Sequence, residues 1–302
     1  MDKLLFYTEA YGSLIEPLWM HPNTYTPLRR ILRKLASKRL PHYFDSHPYE
    51  EVNKRREKDL IVSFTSFPAR IGYAFFVVQS MLRQTIKPEK IYLWLSKKQF
   101  INKTSLPPNL LSLENDCFEI KFVEDDIRSH KKYYYTCLEH PDSKVVLLDD
   151  DIIYSPFLLE RLLDAYNDGN ANVICNYGYL IKRDNDGHLL PYKQWTPLRS
   201  ERIGDDVFFG SGGGTLICPK DFDPILTDID LALKLTPNAD DIWLNCIARY
   251  SKLRIKMIKH GGLLPVLIPC NKCLYTSNVN ENQNDIQLNN VCAFFEKKDF
   301  VF

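Results

Sequence analysis

Three consecutive carboxylates, Asp149, Asp150 and Asp151, follow the apolar run Val145-Val146-Leu147-Leu148 and precede Ile152-Ile153-Tyr154. An apolar run of that length reads as a buried strand. Carboxylates at its carboxyl end sit where open α/β sheets bind ligands. Like charges this close repel and raise one another's pKa. A hard divalent cation relieves the repulsion, because Mg²⁺ or Mn²⁺ takes oxygen ligands and commonly shares them with phosphates. The bland alternative is a solvated acidic turn, and the buried strand in front of the triplet weighs against it.

Other residues offer further chemistry. Asp240-Asp241 opens a segment whose apolar residues are Ile242, Trp243 and Cys246. Acids in a first helical turn are favoured by the helix dipole, so capping accounts for one of the two. Gly210-Ser211-Gly212-Gly213-Gly214 is not a P-loop, since no Gly-Lys-Ser/Thr follows. Its glycines permit positive φ and close backbone approach. Thr65-Ser66-Phe67-Pro68-Ala69-Arg70 leaves an apolar run, and Arg70 suits a bidentate phosphate contact. Lys131 and Lys132 are neighbours on a predicted helix and so point in different directions. His260 precedes Gly261-Gly262 late in the chain. Imidazole suits Mn²⁺ better than Mg²⁺, although a lone histidine is more often structural.

The elements that must carry these groups alternate. Strands are expected at residues 60–64, 90–95, 118–123 and 145–148. Helices are expected at 73–83, at 129–139 with Ser129 as cap, and at 156–166. Strand-helix alternation predicts a parallel sheet with right-handed crossovers. Beyond the triplet, residues 172–181 read as a strand, 183–187 as a turn, 238–250 as a helix and 254–258 as a strand. The polar tail 278–290 reads as loose.

Residues 1–58 form an extension of different character. Thr26-Pro27 gives an N-cap with Pro at the first helical position. Leu28, Ile31, Leu32 and Leu35 follow at helical spacing. Arg29, Arg30, Arg33, Lys34, Lys38 and Arg39 make the other face basic, and the helix is expected to end before Pro41. Such a helix suits peripheral contact with the inner membrane surface through residues 26–40. It suits equally a helix docked on the domain with a solvated basic face. Residues 54–58 read as a charged connector.

Composition narrows the classes. The 302 residues are 45% hydrophobic and 25% charged, which excludes a disordered chain. A net charge of +1 gives no general pull toward nucleic acid. Aromatic residues at 13% suit flat sugar or base ligands and also fill cores. Eight scattered cysteines suggest reduced thiols and a cytoplasmic setting. Cys270 and Cys273 have no second pair at zinc-ribbon spacing. The first residues lack a signal-peptide core, and no apolar run approaches the roughly 20 residues of a membrane span.

In this order, Thr65–Arg70, Ser129–Tyr134, Leu148–Tyr154, Gly210–Gly214 and Ala239–Leu244 resemble a GT-A-type glycosyltransferase of the family-2-like class. Many such proteins serve bacterial capsule and surface-polysaccharide synthesis. The resemblance covers about residues 59–270. It implies a Rossmann-like α/β fold with a mostly parallel sheet, residues 59–151 binding the nucleotide sugar and 152–302 the acceptor. By resemblance, Asp151 is the metal ligand and Asp149 a ribose or second metal contact. Asp150 lies between them with its side chain turned away. Thr65, Phe67, Pro68 and Arg70 line the base and diphosphate pocket, with Lys131 or Lys132 also meeting the donor. Gly212 and Gly213 lie beside the donor sugar, His260 adds a metal ligand, and Asp241, next to Asp240, is the general base. The implied reaction moves a sugar from a nucleotide-diphosphate donor, a UDP-sugar by preference, to a glycan or lipid-linked acceptor with Mn²⁺ or Mg²⁺, by inversion. Trp195, Tyr177, Tyr179 and Trp243 are candidate stacking platforms. A sugar-nucleotide nucleotidyltransferase is the rival enzyme, although such proteins favour a glycine-rich loop after the first strand. A non-catalytic glycan- or cation-binding domain is the other alternative.

Overall fold

The computed structural model describes residues 2–14, 22–49, 56–259, 261–266, 283–296 and 302. Two helices come first, α1 (Lys3–Ser13) and α2 (Pro22–Ser46). Then β1 (Arg56–Thr65), α3 (Ile71–Leu82), β2 (Lys87–Ser96), α4 (Pro108–Leu111), β3 (Phe118–Val123), α5 (Lys131–Glu139) and β4 (Lys144–Leu148) alternate as expected. The second half holds β5 (Ile152–Tyr154), α6 (Leu158–Asn167), β6 (Val173–Cys175), β7 (Gly178–Leu180), β8 (Thr196–Pro197), β9 (Arg202–Ile203), β10 (Val207–Phe209) and β11 (Gly213–Ile217). It closes with α7 (Ile229–Leu235), α8 (Asp240–Tyr250), β12 (Ile255–Met257), β13 (Leu263–Pro265) and α9 (Gln283–Glu296).

The central sheet has the order β3-β2-β1-β4-β11-β6-β12-β9. The run β3-β2-β1-β4 is parallel throughout. β11 is antiparallel to both β4 and β6, and β12 is parallel to β6. The fold is therefore α/β with a mostly parallel sheet flanked by helices, as the alternation predicted. Val145, Val146, Leu147 and Leu148 of β4 are wholly buried, with alternate residues in two different core clusters. A strand covered on both faces needs apolar residues at every position. The chain runs outward from β1 to β2 and β3, then returns to place β4 on the other flank of β1. The carboxyl ends of β1 and β4 thus form a topological switch point, where a crevice opens in doubly wound sheets.

Several local expectations are corrected. β1 begins at Arg56, inside the supposed connector, because Arg56 and Glu57 pair with Lys87 and Pro88 before an irregularity at Asp59 (φ 60°). The 172–181 segment divides into β6 and β7, which belong to different sheets. Ser129 does not cap α5. It lies in a short 3₁₀ turn, and α5 has no side-chain cap. Of the tail expected to be loose, residues 278–282 lie outside the described residues, whereas 283–296 form α9, with Leu288, Val291 and Phe295 buried in the main core. The Phe295 ring lies 5.0 Å from that of Tyr250 and 6.4 Å from that of Trp243.

The basic helix also differs. α2 starts at Pro22 and runs through Pro41 to Ser46. Proline in a helix interior removes a hydrogen bond, but Leu40 and Phe44 on either side of Pro41 are buried. Phe44 packs against Phe75 and Phe76 of α3 at ring distances of 6.1 and 6.3 Å. Tertiary burial holds the helix where propensity would end it. The expected apolar stripe divides as well: Leu32 packs inward, whereas Leu28, Ile31 and Leu35 face outward. Among the described residues no helix is long and apolar enough to cross a membrane. Cys117, Cys137, Cys175, Cys218, Cys246 and Cys292 are free thiols. Cys270 and Cys273 lie outside the described residues.

Candidate active site

A cleft of about 930 Å³ opens at the switch point. Thr65, Phe67, Arg70, Lys131, Lys132, Asp149, Asp150, Asp151, Gly212, Gly213, Asp240 and Asp241 all line it. The sequence brought these residues forward from five separate segments, and the fold gathers them. Pro68 is not among the lining residues, and His260 lies outside the described ones. Trp195 and Trp243 are core residues whose indole N–H groups donate to the carbonyls of Leu190 and Leu226. Tyr177 and Tyr179 do line the cleft, together with Tyr192.

The three carboxylates of the triplet take different partners. Asp149 Oδ1 accepts from Lys132 Nζ at 2.8 Å. Its backbone N–H donates to the buried Tyr154 hydroxyl at 2.8 Å, and that hydroxyl donates to the Gly212 carbonyl. Asp150, expected to turn away, is buried beneath the cleft by Ser66 Oγ at 2.5 Å and Arg70 Nη1 at 2.9 Å. Arg70 Nη2 also lies 3.0 Å from Asp151 Oδ2. Burial and the charge of Asp149 push the Asp151 carboxyl up to about 6, against the opposing pull of Arg70. Burial likewise raises Asp150, although Arg70 and Ser66 oppose it. Thr65 turns its hydroxyl to the Trp94 carbonyl, 2.8 Å away, and so ties β1 to β2.

Lys132 is the hinge of the site. It is buried, and its ammonium reaches Asp149 Oδ1 at 2.8 Å, Ser211 Oγ at 2.9 Å and Asp240 Oδ2 at 3.1 Å. Burial opposes the charge, but Asp149, Asp240 and Asp241 together raise its pKa. Lys131, as its position implies, points elsewhere and pairs with Asp126. Two cations in the first turn of α5 oppose the helix dipole. Carboxylates from three other segments hold them there.

The acidic pair at the start of α8 is not a capping device. Asp241 Oδ1 accepts the Ser211 N–H at 2.8 Å, and Asp240 Oδ2 accepts the Ser211 hydroxyl at 2.7 Å. Burial disfavours charge on Asp240, yet Lys132 and His130 hold it below the ordinary carboxylate value. Burial and the charge of Asp240 push Asp241 up to about 7. The two titrate as a pair in which Asp240 ionises first and Asp241 keeps its proton until near neutrality.

Supporting residues went unrecognised in the sequence. Ser211 joins Lys132, Asp240 and Asp241, and its place inside the glycine run was the available signal. Tyr154, Ser66 and His130 lie within the segments that carry the resemblance, but their residue types gave no sign of these contacts. His130 is wholly buried, its Nε2 donating to the Thr236 carbonyl at 2.7 Å, and burial lowers its pKa. Buried polar atoms without a hydrogen-bond partner include Arg29 Nε, Arg70 Nε, Gln99 Oε1 and Asn284 Oδ1. All four residues line the cleft. Unpaired buried polar atoms are costly, and these four lie in residues around one cleft.

Two glycines are required by geometry. Gly214 has φ 89°, a conformation side chains disfavour. A Cβ on Gly212 would lie 1.8–2.1 Å from the Asp149 carboxylate. Gly212→Ala therefore displaces Asp149. Its expected effect is a loss of about 1–3 kcal/mol of stability from overpacking, with an unchanged far-ultraviolet circular dichroism spectrum. Urea denaturation of both proteins checks this.

No family model matches the chain, and no curated protein matches it. Among solved structures, 4-diphosphocytidyl-2C-methyl-D-erythritol synthase from Anaerococcus prevotii is 11% identical, with a TM-score of 0.45 over 74% of this chain and 98% of that one. UDP-glucose pyrophosphorylase from Acinetobacter baumannii is 10% identical, with a TM-score of 0.43 over 69% and 88%. Mannosyltransferase PcManGT from Pyrobaculum calidifontis, in complex with GDP-Man and Mn²⁺, is 14% identical, with a TM-score of 0.48 over 85% and 70%. These likenesses are remote, and the functional reading rests on the site's own geometry.

Proposed function

We propose that the protein is a GT-A-type glycosyltransferase that moves a sugar from a nucleotide-diphosphate donor to a hydroxyl of a glycan or lipid-linked saccharide, as in surface-polysaccharide assembly. Residues 59–151 bind the donor and residues from 152 onward the acceptor. The observation that carries this reading is the Lys132 junction. One buried ammonium ties the carboxylate at the end of β4 to the pair opening α8, where burial and the charge of Asp240 hold Asp241 at about 7 against the pull of Lys132. A base with a pKa near the working pH is suited to taking a proton from a hydroxyl.

In the proposed reaction the acceptor oxygen attacks the anomeric carbon, the carbon–oxygen bond to the diphosphate breaks, and the hydroxyl proton passes to Asp241. Asp240, held as an anion by Lys132, keeps the Asp241 pKa high. Attack from the side opposite the leaving group gives inversion. Arg70 and Lys132 supply positive charge where the diphosphate leaves. Asp149 and Asp151 offer oxygen donors, and burial together with the charge of Asp149 holds Asp151 at about 6. This donor set fits Mn²⁺ or Mg²⁺. When bound, the cation would neutralise charge on the leaving diphosphate. A nucleotidyltransferase has less need of Asp241, because its attacking sugar phosphate is already an anion.

Calorimetric titration of UDP and GDP in the presence of Mn²⁺ tests the donor half. Binding that is metal-dependent and at least about tenfold weaker in Asp151→Ala supports the reading. Equal binding in the two proteins would remove Asp151 from the donor site.

A further inference from the structure

We propose that the outward face of α2 docks on an anionic membrane surface. The inner face of this helix is already committed. Ala36, Leu40 and Phe44 are buried, and Arg33 Nε donates to the Pro265 carbonyl at 2.9 Å. The helix is therefore fixed on the domain, and what it presents outward is a permanent surface.

That surface is amphipathic. Leu28, Ile31 and Leu35 are 43%, 56% and 39% exposed, at the i, i+3, i+7 spacing of one helical ridge. Arg30, Lys34 and Lys38, all exposed, run beside the ridge at i, i+4, i+8, and exposed Arg39 lies on its other side. The helix has no acidic residue before Asp45. Glu9 of α1 is engaged elsewhere, pairing with Arg161 at 3.1 Å, and Asp2, which caps α1, accepts from Tyr43 at 3.1 Å, one turn beyond Arg39 on α2. Like charges at i, i+4 destabilise a helix, so this row gains from an external anion. An apolar ridge between basic flanks is the geometry of helices that lie in the headgroup plane of a bilayer. A nucleic acid would use the cations and leave the ridge exposed to water. Concentrating four exposed basic residues here, Arg30, Lys34, Lys38 and Arg39, in a chain of net charge +1, makes the face electrostatically distinct from the remainder.

The same helical pair reaches the cleft. Arg29, next to Leu28 and Arg30, lines it together with Tyr11 of α1. Arg29 Nη2 donates to the Tyr11 hydroxyl at 2.9 Å, while Nε is buried without a partner. Docking α2 therefore brings the cleft to the bilayer, and Arg29 becomes a contact for the phosphate of a lipid-linked acceptor. This last step rests on the transferase reading, whereas the docking itself does not.

The test is co-sedimentation of the full chain with vesicles of phosphatidylcholine alone and of phosphatidylcholine mixed with phosphatidylglycerol. Three proteins are compared: wild type, Ile31→Glu/Leu35→Glu, and Arg30→Gln/Lys34→Gln/Lys38→Gln. All five positions are exposed and lie outside the cleft. The wild type is expected on anionic vesicles only. Each basic side chain near such a surface raises affinity about fivefold, so the triple variant should bind about a hundredfold more weakly. The double variant should also lose binding, and all three should bind UDP or GDP equally. Failure to sediment with anionic vesicles, or binding indifferent to both variants, overturns the proposal. A dimer in light scattering that Ile31→Glu splits would assign the face to a second copy, and capture only by an acidic protein would assign it there. Either result also overturns it. Nucleotide binding that persists through a failed vesicle assay leaves the donor-site reading standing alone.

Discussion

Asp241→Asn is expected to lower sugar transfer by about 10²–10⁴-fold, the usual contribution of a general base, while nucleoside diphosphate binding stays within twofold or so of wild type. Asparagine keeps the shape and can still accept the Ser211 N–H, but it cannot take a proton. The pH dependence provides a second reading of the same residue. Burial and Asp240 set the Asp241 pKa at about 7. Below that pH Asp241 is protonated and cannot act as a base, so wild-type kcat/KM should climb as pH rises through about 7 and level off above it. The variant should lack that limb. A variant with undiminished transfer, or with the same pH profile, would remove Asp241 from the chemistry.

Lys132→Met is the substitution expected to damage the protein most. It leaves the buried Asp240 carboxylate without its cation and takes the same partner from the half-exposed Asp149. Removing one partner of a buried ion pair costs about 3–5 kcal/mol, which urea denaturation reads as a lower midpoint. Activity should vanish with it. The pH dependence has a definite sign. In wild type Asp240 lies below its ordinary carboxylate value, so its stabilising contribution is present above about pH 4 and is lost as pH falls through the folded value. Without Lys132, burial pushes the Asp240 carboxyl above that value, and the folded state then takes up protons more readily than the unfolded chain. The stability deficit should therefore shrink as pH falls from 8 toward 5. A deficit that stays constant with pH would mean that Lys132 acts by packing alone.

What could be read in the sequence was the part written in short-range pattern. β4 and the triplet stand next to each other in the chain, and burial on both faces forces β4 to be continuously apolar. Lys131 and Lys132 diverge because adjacent helical residues must. The support of the site was not legible, because it is made by contacts distant in sequence. Ser211 meets Lys132 across 79 residues, and Ser66 meets Asp150 across 84. Nor could local propensity foresee α2 crossing Pro41 or α9 forming from a polar tail. The reasons are the packing of Phe44 against Phe75 of α3 and of Phe295 against Trp243 of α8, contacts that exist only once the domain is assembled. The split of 172–181 into β6 and β7 was hidden for a related reason: Asn176, between them, is wholly buried and reaches the Gly261 carbonyl at 3.0 Å.

The central claim concerns which bond is broken, so the most direct measurement follows the products. Wild type and Asp241→Asn are incubated with Mn²⁺ and either UDP- and GDP-sugars plus saccharide acceptors, or nucleoside triphosphates plus sugar 1-phosphates. The account predicts release of a nucleoside diphosphate from one donor by the wild type, strongly reduced in the variant, and no pyrophosphate in the second mixture. Pyrophosphate formed from a nucleoside triphosphate, at equal rates in both proteins, would contradict it and make the protein a nucleotidyltransferase.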